Sequence, residues 1–305
     1  GKKGIATSGV SYAYTKEALS SLKGSCKLIK VTTPYPFPEK QALEFLEGLD
    51  EALVIEELSP YIEKELTYIC GKYQLPVKIK GKLTKDMPSA GENTVSAVTE
   101  SIGEFLNISY DKPKGEKHSI ELPVRPPVLC AGCPHRASFY AVKVAMKGKK
   151  AVFSGDIGCY TLGNAAPLNM VDTCLCMGAG ITMAQGLHRA EPDAVNFAFV
   201  GDSTFFHTGI PGVINAVYNQ TDIILVVLDN STTAMTGNQP HPGTGKTMMG
   251  NITEKISIPK VLSGIGVQWI ERVNPFDLTA AEEAVEKAVN QKGVKAIIFE
   301  APCIQ

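Results

Sequence analysis

The stretch that most constrains this chain is FAFVGDSTFFHTG, Phe197 to Gly209, an apolar run that breaks at a glycine and leads into a helical pattern. Its strand, Ala194 to Val200, has companions at Ala151 to Phe153, Ile223 to Leu228 and Ala296 to Phe299. All are short, branched and nearly continuous, as strands buried on both faces of a parallel sheet should be. Such a doubly wound α/β sheet gathers ligands at the carboxyl ends of its strands. A glycine turn into a helix there normally offers N–H groups to a phosphate. Yet Asp202, in Gly201-Asp202-Ser203, sets a negative charge at that spot.

Leu228-Asp229-Asn230 closes the next strand, so Asp202 and Asn230 are expected to face one crevice. A carboxylate, an amide oxygen and a nearby carbonyl make a hard ligand set suited to Mg²⁺ that also holds diphosphate oxygens. With the cation between them, carboxylate and phosphate no longer conflict. Two turn-capping residues would leave the same trace in the sequence.

The 305 residues are 44% hydrophobic, enough for real cores, and the net charge of -1 gives no footprint for nucleic acid. No apolar stretch reaches the roughly 18 to 20 residues that span a bilayer, and GKKGIATSG is no signal peptide, so a cytoplasmic chain without membrane contact is expected. The first residue is not Met and stands just before a strand, which suggests a piece of a longer polypeptide. Residues 1–83 alternate strands and helices, as a small parallel α/β domain does. Within them Ser59 is expected to cap a helix with Pro60 in its first turn and Ile62, Leu66, Ile69 and Tyr73 on one face. Residues 84–127 read as a linker with one helix near Thr94 to Leu106, rich in Pro, Lys, Ser and Glu and including DKPKGEKHSIELPVRPPV. Residues 128–305 form the second domain.

Gly-Asp-Gly/Ser followed by Asn about 25 to 30 residues on resembles the motif of thiamine diphosphate enzymes, here Gly201, Asp202, Ser203 and Asn230. DTCLCMGAGITMAQG resembles the segment that sets a bulky apolar residue, Met177, between the cofactor's two rings, with Gly178 and Gly180 admitting a close backbone. The resemblance implies Mg²⁺ on Asp202, Asn230 and the Thr232 carbonyl. It further implies cofactor contacts from Gly158, Cys159, Met177, Gly178, Ala179, Gly201, Ser203, Thr204, Thr233, Ala234 and Met235.

Six of the eight cysteines lie in the second domain, residues 128–305. In a reducing compartment that favours metal or redox chemistry over disulfides. Cys130-Ala-Gly-Cys133 alone also suits structural zinc or two buried thiols. Together with Gly155-Asp-Ile-Gly158-Cys159 and the Pro-rich exit FEAPCIQ, however, it resembles the 2-oxoacid:ferredoxin oxidoreductases. That likeness implies a [4Fe-4S] cluster on Cys130, Cys133, Cys159 and Cys303. Cys26, Cys70, Cys174 and Cys176 have no matching role and read as buried thiols. LCAGCPHRASFYAVK, GDSTFFHTGIPG and DNSTTAMTGNQPHPGTG resemble the catalytic, larger subunits of the indolepyruvate ferredoxin oxidoreductase family. SGVSYAYTKEAL, TPYPFPEK and LVIEELSPYIE resemble the transketolase-C-like domain that precedes the cofactor domain there.

The resemblance implies oxidative decarboxylation of an aryl 2-oxoacid, indolepyruvate, to the aryl-acetyl-CoA, with coenzyme A as co-substrate, ferredoxin as acceptor and a smaller beta subunit as partner. The family's pyrimidine-binding domain, with its activating glutamate, and its ferredoxin-like module have no counterpart in this sequence. They are expected in the same gene or in trans, and the isolated piece is expected not to turn over. His135, His207 and His241 are candidates to orient substrate or shuttle protons. Arg136 is a candidate carboxylate or CoA contact. A non-redox thiamine diphosphate decarboxylase and a non-catalytic cofactor-binding subunit are the alternatives.

Overall fold

The computed structural model describes residues 2–109 and 122–305. The chain divides into two compact units, 1–121 and 122–305. In the first, β1 (Lys3–Ser8), α1 (Ser11–Leu22), β2 (Lys27–Val31), α2 (Glu39–Leu46), β3 (Glu51–Ile55), α3 (Tyr61–Lys72) and β4 (Lys78–Lys80) alternate, and α4 (Val95–Leu106) follows. The sheet order is β2-β1-β3-β4, all parallel. Strand residues alternate between two cores, as a period of two requires. Ala52 and Val54 pack with Phe45, Leu46, Leu66 and Ile69, while Leu53 and Ile55 pack with Val98, Ile102 and Phe105.

Three local expectations need correction. The α3 N-terminus is capped by the buried Glu56, whose carboxylate accepts the Ile62 and Glu63 N–H groups at 2.8 and 3.1 Å; the Ser59 side chain takes no part. Tyr73 lies past the end of α3, outside its buried face, and is 43% exposed. Residues 84–109 do not form a linker: α4 supplies Val98, Ile102 and Phe105 to the core of the first unit. Residues 110–121 of the expected linker lie outside the described residues.

The second unit holds α5 (Pro134–Ala145), β5 (Ala151–Ser154), α6 (Ala179–Ala190), β6 (Val195–Gly201), α7 (Asp202–Thr204), α8 (Ile210–Tyr218), β7 (Ile223–Asp229), α9 (Ile258–Ile265), β8 (Trp269–Val273), α10 (Leu278–Val289) and β9 (Val294–Glu300). Its sheet runs β5-β6-β7-β9-β8, all parallel. Phe197, Phe199, Val226 and Phe299 pack under α5 and α10, and Ala198, Val200, Val227 and Ile298 under α6, α8 and α9. Both faces are thus covered, which is why these strands read as unbroken apolar runs. Edge strand β8 breaks that pattern, with the charged Glu271 and Arg272 inside it, and has no counterpart among the expected strands. Because the strands are parallel, the residues that follow β5, β6, β7 and β9 emerge along one edge. Among the described residues no helix is long and apolar enough to cross a membrane.

Candidate active site

A cavity of about 210 Å³ opens at that edge. Pockets for drug-sized ligands run to roughly 300–1,000 Å³, so this one takes part of a large ligand and leaves the rest outside it. Of the positions expected to touch a cofactor, all except Gly178 and Ala179 line it; Ile157, Tyr160, Leu228 and Thr236 were not anticipated.

Asp202 and Asn230 are both buried at the cavity wall, with Thr232 beside them. Asp202 Oδ1 accepts the Ser203 N–H at 2.8 Å, and its Oδ2 lies 3.1 Å from His241 Nε2. Thr233 Oγ1 donates to Ser203 Oγ at 2.9 Å and ties the loop after β7 to the one after β6. Burial, and then the adjacent Asp202 carboxylate, push the Asp229 carboxyl up to about 6. Two acids crowded in a buried place, with an amide oxygen alongside, are the donor set that a hard cation relieves. Among the described residues no three His, Cys, Asp or Glu side chains converge on one ion. A cation here would therefore depend on amide and carbonyl oxygens and on a ligand's phosphates, in keeping with the one or two carboxylates that Mg²⁺ usually takes.

Asp156, at the end of β5, was not among the expected site residues. It is fully buried: Oδ1 accepts the Tyr160 hydroxyl, and Oδ2 accepts the Gly178 N–H at 2.9 Å, with Gly180 N–H adding to the set. Burial raises this carboxyl to about 6. Tyr160 reaches Thr204 Oγ1 at 3.2 Å, and its ring explains two glycines. A Cβ at Gly201 would stand 2.7 Å from that ring and one at Gly158 2.3 Å. Both glycines are therefore required by the Tyr160 ring, and both still line the cavity. Gly178, at φ +83, faces Thr208, where a Cβ would meet Oγ1 at 2.5 Å, and Thr208 Oγ1 donates to the Met177 carbonyl at 3.0 Å. This fixes the backbone at Met177, whose side chain lines the cavity. Beyond α7 the helix widens into a π turn, Phe205–Gly209, before α8; such turns recur at functional sites.

Cys159 lines the cavity, and its thiol lies within electrostatic reach of Cys130 and Cys303, as Cys133 does of Cys130 and Cys159. Burial raises both Cys133 and Cys159, while backbone N–H groups of His135 and Arg136 oppose this at Cys133 and that of Met235 at Cys159. The Cys303 N–H donates to the Asn230 carbonyl at 3.0 Å and the Ala301 N–H to that of Asp229 at 3.1 Å, so β9 leaves the sheet alongside the metal-ligand candidates. Structural zinc would need the thiols to converge on one ion, which the described residues do not do. Cys174 and Cys176, expected to be buried, are exposed in the turn before α6; Cys70 is buried and Cys26 half-buried.

The remaining candidates divide. His135 lines the cavity, buried edge-on to Tyr160, and burial pulls its imidazole down to about 4. It is neutral near pH 7. His207 is exposed and outside the cavity lining. His241 is buried behind Asp202, also outside the lining, and so is not placed to touch substrate. Arg136 is committed to the cysteine loop: Nε donates to the Leu129 and Cys130 carbonyls at 3.1 and 2.8 Å, and Nη2 also donates to Leu129. Its expected carboxylate or CoA contact is not what this geometry provides.

The C-terminal TPP-binding domain of thiamine pyrophosphate enzymes matches residues 156–299. The chain is 39% identical over 310 residues to the indolepyruvate oxidoreductase subunit IorA of Archaeoglobus fulgidus, covering 99% of this chain and 49% of that one. It is 40% identical over 306 residues to that of Methanothermobacter marburgensis, with the same coverage of 99% and 49%. The chain thus spans about half the length of the curated relatives it matches. A solved 2-oxoglutarate:ferredoxin oxidoreductase from Magnetococcus marinus superposes with a TM-score of 0.50 at 19% identity, over 62% of this chain and 69% of that one, a likeness of fold.

Proposed function

Because the chain belongs to the family of the indolepyruvate oxidoreductase IorA subunits, we propose that it carries the diphosphate and Mg²⁺ half of an active site that oxidatively decarboxylates aryl 2-oxoacids. In this reading indolepyruvate is the substrate, coenzyme A takes up the acyl group, and electrons leave through a [4Fe-4S] cluster to ferredoxin. A smaller subunit, and domains supplied in the same gene or in trans, complete the site. The observation that carries the redox reading is that Cys159 lines the cavity and feels the Cys130 and Cys303 thiols electrostatically, while Gln305 donates to both Cys303 Sγ and Cys130 Sγ, at 3.5 and 3.4 Å. A non-redox decarboxylase has no need of thiols gathered beside its cofactor.

Asp202, Asn230 and the Thr232 carbonyl would hold Mg²⁺ through hard oxygen donors. Cys130, Cys133, Cys159 and Cys303 would hold the cluster; thiolates are its usual ligands, and a four-iron cluster spreads them wider than a single ion does. Thiamine diphosphate supplies the nucleophilic carbon for the keto group and the electron sink as CO₂ leaves, and the protein supplies position and electrostatics. Met177, its backbone fixed by the Thr208 bond to its carbonyl, would offer the cofactor's ring system an apolar side chain at the cavity wall. His135, neutral at the cavity wall, offers a hydrogen bond without adding charge. Arg136 keeps the Cys130 turn folded through the carbonyls it engages.

The test uses the full-length protein with its partner subunit. Indolepyruvate with CoA should reduce a low-potential dye only when thiamine diphosphate and Mg²⁺ are present, and iron and sulfide should be found after anaerobic purification. Asp202→Ala should weaken Mg²⁺-dependent cofactor binding by more than roughly a hundredfold, since outer-shell partners alone cost 10–100-fold. Substrate consumption without dye reduction would leave a non-redox decarboxylase instead, and absence of saturable thiamine diphosphate binding would leave a non-catalytic subunit.

A further inference from the structure

We propose that His241 is a positioning residue for the cation site: its Nε2–H holds the Asp202 carboxylate in the orientation that presents it to the cavity. This rests on the reading of Asp202 as a Mg²⁺ ligand and assigns the imidazole a place in that site without contact to substrate.

The hydrogen bonds fix the tautomer. The Gly243 N–H donates to His241 Nδ1 at 3.2 Å, so that nitrogen carries the lone pair and the ring proton sits on Nε2. Nε2 lies 3.1 Å from Asp202 Oδ2, and a neutral imidazole in this tautomer donates there. Both side chains are almost fully buried, 8% and 2% exposed, so water does not compete for the bond. The ring is boxed in as well. Phe206 stacks on it with centroids 5.9 Å apart, and a Cβ at Gly243 would stand 3.1 Å from the ring and 3.0 Å from Phe206. The Thr244 N–H and Oγ1 bind the His241 carbonyl at 2.9 and 2.8 Å.

The carboxylate is therefore held from two sides: Oδ1 by the Ser203 N–H, and Oδ2 by a residue 39 positions further along the chain. Those bonds use one acceptor direction on each oxygen and leave the others for a cation. Without the His241 bond, Asp202 keeps one fixed backbone donor, and its other oxygen is free to turn to the neighbouring Asp229 carboxyl group, which engages it, instead of to the cavity. Orientation of a ligand by a residue behind it is typically worth 10–100-fold in metal affinity.

The experiment measures, in the full-length protein, the Mg²⁺ concentration that half-saturates thiamine diphosphate binding by calorimetry. His241→Ala should raise it about 10–100-fold, with cofactor affinity recovering at saturating Mg²⁺. His241→Gln, which keeps a side-chain N–H donor, should restore most of the loss. A merely structural role would lower cofactor affinity at every Mg²⁺ concentration and gain nothing from glutamine. A wild-type protein with Mg²⁺-dependent binding whose His241→Ala variant stays within twofold overturns the proposal; a wild type with no Mg²⁺ dependence overturns the cation-site reading itself. Nitrogen NMR of the unmutated imidazole needs no variant: a proton on Nδ1 rather than Nε2 would also overturn it.

Discussion

Gly155-Asp156 follows β5 and Gly201-Asp202 bridges β6 and α7, so neighbouring parallel strands deliver the same dipeptide to one edge of the sheet. Asp156 turns inward and accepts the Tyr160 hydroxyl and the N–H groups of Gly178 and Gly180. Asp202 stays at the cavity wall, where Ser203 and His241 donate to it and the Asp229 carboxyl group lies alongside. The chemistry of the side chain is the same in both places. What separates scaffold from ligand site is how many donors the surrounding loops aim at the carboxylate: three take up most of the roughly four acceptor positions of Asp156, while Ser203 and His241 take up two of those of Asp202.

That contrast predicts a double dissociation. Asp156→Ala strands three buried donors and should lower stability by about 4 kcal/mol, at about 1–3 kcal/mol for each with partial relaxation. Asp202→Ala should cost far less stability, because it also relieves the crowding with Asp229, even though it loses the cofactor. Urea unfolding of both variants without ligand checks this, and equal losses would break the comparison. The next effect is in pH. With its folded value near 6 against 3.8 for the ordinary group, Asp156 holds a proton in the native state that the unfolded chain has already released. Its contribution is full below pH 3.8 and is lost as pH rises through about 6. Relative to Asp156→Asn, the wild type should lose about 2.4 kcal/mol between pH 4 and pH 7, because each tenfold difference in proton affinity between the folded and unfolded chain is worth about 1.4 kcal/mol and part of the difference is already spent by pH 4. A flat difference across that window would mean that the carboxyl is not raised. The smallest change is Gly201→Ala, expected to cost about 2 kcal/mol by overpacking against Tyr160. Tyr160→Leu should remove most of that penalty, and a penalty that persists would show that the glycine serves something other than the ring.

Much of this was legible beforehand, and for a physical reason. Strands β6, β7 and β9 are buried on both faces and the short edge strand β5 is apolar though half-buried, so their composition announced them, and the ends of β6 and β7 carried oxygen ligands at recognisable spacing. Strand β8 did not announce itself, because an edge position tolerates Glu271 and Arg272 within the run. Asp156 and Tyr160 were hidden for another reason. Nothing local distinguishes a buried aspartate from a turn residue until α6 brings Gly178 and Gly180 to it, although the repeated Gly-Asp after β5 was an available signal. Arg136 misled for a similar reason: a guanidinium beside a cysteine loop looks available in sequence, and only the folded turn shows the Leu129 and Cys130 carbonyls that occupy it.

The π turn at Phe205–Gly209 sets where the Asp202 carboxylate aims. Each helical residue advances the chain by about 100°. Val213 and Ala216 of α8 are locked into the core and cannot turn with it. Shortening the turn by one residue to a regular α-helix would therefore rotate everything ahead of it, swinging Asp202 and Ser203 by about 100° away from Asn230. The bearing of the metal-ligand candidate is thus a matter of counting: one extra residue acts as an angular spacer between a helix that cannot turn and a carboxylate that must point across the crevice.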